Sequence, residues 1–461
     1  MTDADRPRVI LATSNGTGMG HLARAAATAL ACEDIEPIIF SLSRALPLVA
    51  GLGLRCEYCP SRGPTGMTDS TWQHYLAARL QALVNESGAR VVAFDGAWPY
   101  AGLQIARARL AGVAFVWIRR GMWQPGVNEK ALRQRRMFDR VVEPGELAGA
   151  ADHGATADLG DALVVSPVTL LERVTRLPRQ QAARELGLDP GKPTALVTLR
   201  AAPGPAGGTD DADPGADPDA ARAAVRAVLA TRDWQVAMTS TSISPGELGV
   251  DDERVVTLRG VFPLARYLAA FNVAVTEAGY NSFHEVLHAG LPSLIVPTRA
   301  AVTDDQTGRA RWAEREGLAL AAAESEPGQV ANRADHLLLP ETRESLAARC
   351  ASLPAPRGAA ETAAELAALA EEFTRHRFST AERSRTARLH LRPLAVRAAS
   401  ALPGGLGKRL ARSPANPAAP EFTGDLAEIE TATEHIPPGA SATYRATRER
   451  IAAHYYGALG S

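Results

Sequence analysis

The sequence predicts an α/β protein of two domains, each built on a parallel sheet, followed by a C-terminal extension. Three observations predict this. The chain has 461 residues, too many for one hydrophobic core. Short apolar runs alternate with alanine-rich helical stretches, as βα units do when helices cover both faces of a sheet. The alternation also stops at a Pro/Gly-bounded segment and restarts beyond it.

The first run, Val9 to Ala12, reads as a buried strand. A glycine-rich turn from Ser14 to Gly20 and a helix from His21 to Ala31 follow it. Ile38 to Phe40, Val91 to Phe94, Ala114 to Ile118, Val141-Val142 and Leu163 to Val165 continue the series, with a helix near Leu103 to Leu110. These place the first domain at 1–176, with a connection at 177–192 ending in Asp189-Pro190-Gly191-Lys192-Pro193. The second domain, 193–375, has strands at Thr194 to Leu199, Trp234 to Met238, Val255 to Leu258, Val273 to Val275 and Ser293 to Val296. It has a helix at Ala220 to Ala230 that Asp219 is placed to cap. The Pro-, Gly- and Asp-rich Pro203 to Pro218 reads as a loop. The extension, 376–461, is basic and then acidic.

A formal net charge of -1, 46% hydrophobic and 22% charged residues give no global electrostatic case for a nucleic-acid partner. Four cysteines are too few for a disulfide scaffold in so long a chain. Cys56 and Cys59 have the spacing of half a zinc site, but no second ligand pair is present, so they read as reduced thiols. Met1 to Asp5 is acidic, unlike a signal peptide, and no apolar stretch is long enough to span a bilayer. A cytoplasmic protein is expected.

Two motifs carry chemistry. In the first, Thr13-Ser14-Asn15-Gly16-Thr17-Gly18-Met19-Gly20-His21, a glycine turn leads from a strand into a helix N-terminus. Gly18 and Gly20 let backbone amides approach an anion. A dinucleotide fingerprint needs its third glycine where His21 stands, which argues against NAD or FAD. An imidazole at the mouth of such a turn can serve as general base; the plainer reading is a capping or packing histidine. The second motif runs from Thr276 to Pro292. Gly279 marks a tight turn, Asn281 or Ser282 could cap the helix, and its amides suit a phosphate. Glu285 is placed to chelate two ribose hydroxyls. Asp304, Asp305 and Gln306, just beyond the following strand, could bond sugar hydroxyls.

With these residues in view, the sequence resembles the glycosyltransferases that add N-acetylglucosamine to lipid-linked muramyl peptide, the MurG-like enzymes of the GT-B fold. The likeness runs through Gly279, Ser282, Glu285, Gly290, Pro292, Pro297, Gln306 and Ala310, and more loosely through the first glycine turn and His21. It implies two facing Rossmann-like domains and an enzyme that uses a nucleotide-activated sugar, whose base, uracil, is read by the backbone near Val261 and Phe262. It further implies that Gly279, Tyr280, Asn281 and Ser282 hold the α-phosphate, Glu285 the ribose, and Asp305 and Gln306 the sugar, with His21 by the reacting centre. Three positions depart from the family: Leu199 to Ala202 replaces a Gly-Gly-Ser turn, Glu277 a basic residue, and Arg309 an asparagine.

The expected reaction is displacement with inversion, the acceptor hydroxyl being activated by His21 or by Asp95. Helix N-termini could stabilise the leaving diphosphate, so no metal or other cofactor is expected. Asp210 to Asp213 resembles a metal site but reads as solvent-facing. Trp98, Arg119 and Arg120 follow first-domain strands and are acceptor-site candidates, a structural ion pair being the alternative for the arginines. Trp72, Trp98 and Trp123 could stack on a sugar or simply pack. The acceptor is a small molecule or a lipid-linked glycan. The basic tail reads as a solvated linker, a docked helix or a contact for anionic lipid at the inner membrane face. A sugar-nucleotide epimerase or hydrolase, or a non-catalytic sensor, is the alternative function.

Overall fold

The computed structural model describes residues 6–15, 19–199, 218–240, 248–298, 303–375 and 439–456. The first sheet contains β1 (Arg8–Thr13), β2 (Glu36–Ser41), β3 (Arg55–Tyr58), β4 (Val91–Asp95), β5 (Ala114–Ile118), β6 (Arg140–Pro144) and β7 (Leu163–Val165). Its order is β3-β2-β1-β4-β5-β6-β7, and its neighbours run parallel. The second contains β8 (Thr194–Val197), β9 (Gln235–Ser240), β10 (Val255–Arg259), β11 (Val273–Thr276), β12 (Ser293–Ile295) and β13 (Leu320–Ala321). It too is parallel, in the order β10-β9-β8-β11-β12-β13. These are the two Rossmann-like sheets expected from the alternating apolar runs.

Each sheet reverses its winding once, between β1 and β4 and between β8 and β11. Helices leave in opposite directions there, opening a crevice at the carboxyl ends of the strands. The first glycine turn follows β1, Asp95 ends β4, and Gly279 follows β11. Both motifs therefore stand at switch points.

Helix α1 (Gly20–Ala31) buries Leu22, Ala23, Arg24, Ala25, Ala26, Ala27, Thr28, Ala29 and Ala31. Its small side chains let it lie close to β1 and β2 and to a late helix, α5 (Gly358–Arg375). That late helix returns to the first sheet. Ala359, Ala363, Leu366, Leu369 and Ala370 join the core formed by Val9, Leu11 and Val116. The Ala359 and Ala360 amides donate to Glu172, each at 2.9 Å. A Cβ on Gly358 would stand 1.9 Å from the Ser166 carbonyl, so only glycine permits this approach. The boundary drawn at residue 375 thus falls at the end of a helix packed on the first domain.

Asp219 lies in the first turn of the helix Pro218–Ala230 and pairs with Arg222 at 2.6 Å. The strand β3 lacks the apolar run that signals its neighbours, because alternate residues face different surroundings. Cys56 and Cys59 are free and buried, and burial pushes their thiols up to about 12 and about 11. Glu57, between them, is fully buried. Arg79 from α2 (Asp69–Ser87) reaches it at 3.2 Å and Arg448 from α6 (Ala442–Tyr456) at 3.1 Å. The Tyr444 hydroxyl also donates to Glu57. This cluster fastens the end of the chain to the first domain, with Ser441 bonded to Glu86 and the Tyr455 and Tyr456 rings edge-on to Tyr75. The basic and acidic stretches before it lie outside the described residues. Tyr444→Ala should cost about 3–5 kcal/mol, since it removes a buried ring and one partner of a buried carboxylate; denaturant unfolding measures the loss.

Candidate active site

The candidate reacting residues are arranged from β4 outward. Asp95, the last residue of β4, is 2% exposed. His21 and Arg24 lie three residues apart on α1, a spacing that puts both on one helix face. His21 Nδ1 is 2.7 Å from Asp95 Oδ1. Arg24 forks onto the same carboxylate, Nε to Oδ2 at 2.9 Å and Nη2 to Oδ1 at 2.6 Å, and Nη2 is also 2.9 Å from His21 Nδ1. Burial would raise the Asp95 carboxyl, but Arg24 and His21 overcome it and hold the group at about 2. Asp95 is therefore a carboxylate, and it accepts the Nδ1 proton of His21. That leaves Nε2 with the lone pair a general base needs. Burial lowers the imidazole below its ordinary 6.5, and Arg24 and Arg120 add to this against the opposing pull of Asp95. The ring is neutral at pH 7. Of the two candidate bases, Asp95 thus orients and His21 presents the nitrogen.

Opposite stands α3 (Tyr280–His288), whose N-cap is Gly279. Neither Asn281 nor Ser282 caps it: both lie inside its first turn, and no side-chain cap bond is made. Asn281 Nδ2 donates to the Gly20 carbonyl at 3.0 Å, so the N-terminal turns of α1 and α3 face one another across the lobes. Asn281, Glu285 and His288 follow at i, i+4 and i+7, one stripe of the helix. Asn281 Oδ1 and His288 Nε2 are buried without a hydrogen-bond partner among the described residues. Burial raises the Glu285 carboxyl to about 7 against a lowering bond from the Leu170 amide. It lowers His288 to about 4.

The sign of the Glu285 effect gives a prediction. A carboxyl whose folded value lies above the ordinary 4.5 contributes its full stability below that value and loses it as pH rises toward about 7. Glu285→Gln should match the parent near pH 4.5 and exceed it at pH 8 in chemical unfolding.

The loop after β12 differs from its expected role. Asp305 caps its own helix, α4 (Gln306–Arg315), accepting from the Gly308 amide at 2.8 Å. Gln306 is buried and accepts from the Thr298 amide at 3.2 Å. The carboxylate facing the first lobe is instead Asp304, one residue earlier, paired with Arg120 at 3.2 Å and Arg309 at 2.7 Å. Arg309 is fully buried and also holds Glu146 of the first lobe through two bonds, at 3.0 and 2.6 Å. Burial raises the Glu146 carboxyl and Arg309 opposes it. For Asp304, the two arginines outweigh burial and hold it well below the carboxylate range. The backbone completes the seam, Gln124 N donating to Thr303 O and Asp305 N to Met122 O, each at 2.8 Å.

The remaining candidates divide. Arg119 takes the structural alternative: it is 1% exposed and paired with Glu143 at 3.1 Å and Asp161 at 2.8 Å. Trp72 and Trp123 are each 2% exposed and pack in the first domain's core, whereas Trp98 is half-buried at its edge. Gly20 begins α1; Gly18 lies outside the described residues, as do Asp210 to Asp213 and Ala201-Ala202. Val261 packs on the second domain's core and Phe262 on the first domain's. Among the described residues no group of three or more His, Cys, Asp or Glu could hold a metal ion, and no helix is long and apolar enough to cross a membrane.

Arg24 and Glu146 were not singled out from the sequence. The His21-x-x-Arg24 spacing could have signalled the first. Arg309 was visible as a departure from the resembling family.

Comparison with known proteins agrees with this fold. Residues 248–367 match the glycosyltransferase family 28 C-terminal domain. Over 332 residues the chain is 27% identical to the UDP-N-acetylglucosamine–N-acetylmuramyl-(pentapeptide) pyrophosphoryl-undecaprenol N-acetylglucosamine transferase of Solidesulfovibrio magneticus, covering 68% of this chain and 84% of the relative. The solved glycotransferase of kitacinnamycin superposes with a TM-score of 0.51 at 16% identity, over 79% of this chain and 99% of that one. The glycosyltransferase SnogD from Streptomyces nogalater gives 0.50 at 17% identity, over 79% and 100%. These two likenesses concern the fold. Two facing Rossmann-like lobes, a family 28 second lobe and relatives of this kind make the chain a glycosyltransferase of the GT-B fold that resembles the MurG-like superfamily.

Proposed function

We propose that the protein transfers a sugar from a UDP-sugar to an acceptor hydroxyl, with inversion and without a metal ion. The observation that carries the reading is the His21–Asp95 pair facing the N-terminus of α3, with Asn281 bonded to Gly20 between them. In this reading His21 Nε2 takes the acceptor's proton while the hydroxyl oxygen attacks the anomeric carbon. The bond to the diphosphate breaks on the opposite face, and the electron pair leaves with the nucleotide.

The departing charge meets the amides of Tyr280, Asn281 and Ser282 and the positive end of the helix behind them. That arrangement supports a route without a metal. Glu285 would accept the ribose hydroxyls, with the unsatisfied Asn281 and His288 atoms on the same stripe. The segment Val261-Phe262 after β10 would bound the base. Gln306 lies beside Gly279, its Nε2 4.0 Å from where a Cβ there would stand, and would bond the sugar; Asp304 is the carboxylate we assign to it in place of Asp305.

Trp98 and Arg120 are the acceptor-side residues. The Solidesulfovibrio relative is named for a lipid-linked acceptor, and a lipid-linked glycan at the inner face of the membrane is one acceptor class to test here, alongside soluble hydroxyl compounds. We propose a cytoplasmic protein, in keeping with its free, largely buried cysteines. The test is nucleotide release from a panel of UDP-, dTDP- and GDP-sugars, with and without lipid and soluble acceptors. Acceptor-dependent release of UDP is expected. Release that no acceptor accelerates would indicate a hydrolase, and an altered sugar on an intact nucleotide an epimerase.

A further inference from the structure

We propose that Tyr280 is a positioning residue that ties closure of the two lobes to the alignment of His21, acting through Arg24. The inference rests on the reading of His21 as the base.

Tyr280 is the first residue of α3, so its backbone belongs to the phosphate-facing turn. Its side chain, 2% exposed, crosses the seam into the first lobe. The hydroxyl donates to the Gly145 carbonyl at 2.9 Å and accepts from the Val168 amide at 3.0 Å. Both partners follow strands of the first sheet. The ring lies under two guanidinium groups: Arg24 at 5.1 Å from its centroid and Arg309 at 6.0 Å. Arg309 belongs to the second lobe and travels with Tyr280. Arg24 belongs to the first.

The guanidinium that Tyr280 covers is the one that controls His21. Arg24 Nη2 stands 2.6 Å from Asp95 Oδ1 and 2.9 Å from His21 Nδ1. Nη2 carries two hydrogens; while the fork of Nε and Nη2 is seated on Asp95, the imidazole keeps hydrogen on Nδ1 and the lone pair on Nε2. If the guanidinium plane swings so that the second Nη2 hydrogen points along Nδ1, the other tautomer forms and Nε2 cannot accept a proton. An aromatic face holds the planar guanidinium in one orientation. Closure brings the ring over Arg24 and selects the competent tautomer; separation of the lobes releases Arg24 to water. The first and second lobes thus exchange information through one stacked pair.

The charged groups around His21 are Asp95, Arg24 and Arg120. Freeing Arg24 removes a cation that depresses the imidazole and admits water, and both changes raise its pKa. The test is an NMR titration of the His21 ring in the full chain, which needs neither donor nor acceptor. Tyr280→Leu, which removes ring and hydroxyl, should shift the His21 titration upward. Tyr280→Phe, which removes only the hydroxyl anchor and is conservative enough to fold, should shift it less in the same direction. In an Arg24→Gln background, where the imidazole already titrates higher, neither substitution should move it further. Equal shifts in the Arg24→Gln background, or none in the parent background with the fold intact by circular dichroism, would overturn the proposal. UDP binding, measured by calorimetry on the same proteins, keeps the two readings apart: a parent that binds no UDP counts against the transferase reading, whereas the titrations report on the coupling alone.

Discussion

His21→Ala should lower acceptor-dependent nucleotide release by about 10²–10⁴-fold, the usual contribution of a general base, with UDP affinity largely unchanged. The asymmetry follows from where the imidazole stands. It is on α1 in the first lobe, bonded to Asp95, whereas the groups assigned to the nucleotide are on α3 and after β10 in the second. Steady-state kinetics and calorimetry on the same variant measure the two quantities. The parent enzyme should also lose rate on acidification with a midpoint below 6.5, because burial, Arg24 and Arg120 depress the ring. A midpoint above that value would mean that Asp95 dominates the imidazole and that the assignment of the neutral base is wrong.

The second large effect is on stability. Arg309→Met should destabilise the closed protein by about 3–5 kcal/mol, the cost of stranding buried charge. Arg309 is fully buried and neutralises Glu146 and Asp304 together. Met fills the space without supplying the charge. Glu146→Gln in the same chain should recover part of the loss, since a neutral amide at that site no longer needs a cation. Chemical unfolding of the two single variants and the double variant measures this, and additive costs would show that the pair is not coupled. The arrangement has a consequence for motion. Arg120 and Glu146 belong to the first lobe, Asp304 and Arg309 to the second, so each lobe carries one acid and one base from this cluster. Opening the cleft leaves no net charge stranded on either side.

What the sequence made legible depends on how local the cause is. The strands β1, β4, β5 and β11 are buried on both faces and announce themselves as apolar runs. The turns after β1 and β11 are announced by glycine and by the helix that follows. His21 and Glu285 could be named because a turn of that kind has few uses. By contrast, β3 is defined by its neighbours: its central Glu57 is tolerated in the core only because Arg79, Tyr444 and Arg448 converge on it from two helices. No local pattern signals that convergence. The same holds for the carboxylate proposed for the sugar. Asp304 and Asp305 are adjacent and chemically identical, and their roles separate only because Asp305 sits at the N-cap of α4. Arg119 and Arg120 separate in the same way, one turned into its own domain and the other toward the second lobe. Tyr280 reads in sequence as one more residue of a phosphate turn. Its side-chain role exists only once the lobes face each other.

The proposed function requires the N-terminal turns of α1 and α3 to enclose one nucleotide sugar between them. A crystal structure of the protein grown with UDP tests it most directly. Ribose hydroxyls are expected on the Glu285 carboxylate, the diphosphate on the amides of Tyr280 to Ser282, and the terminal phosphate pointed at His21 Nε2. UDP bound at any other place on the second lobe, with the Glu285 stripe still sealed against Leu170, would contradict it.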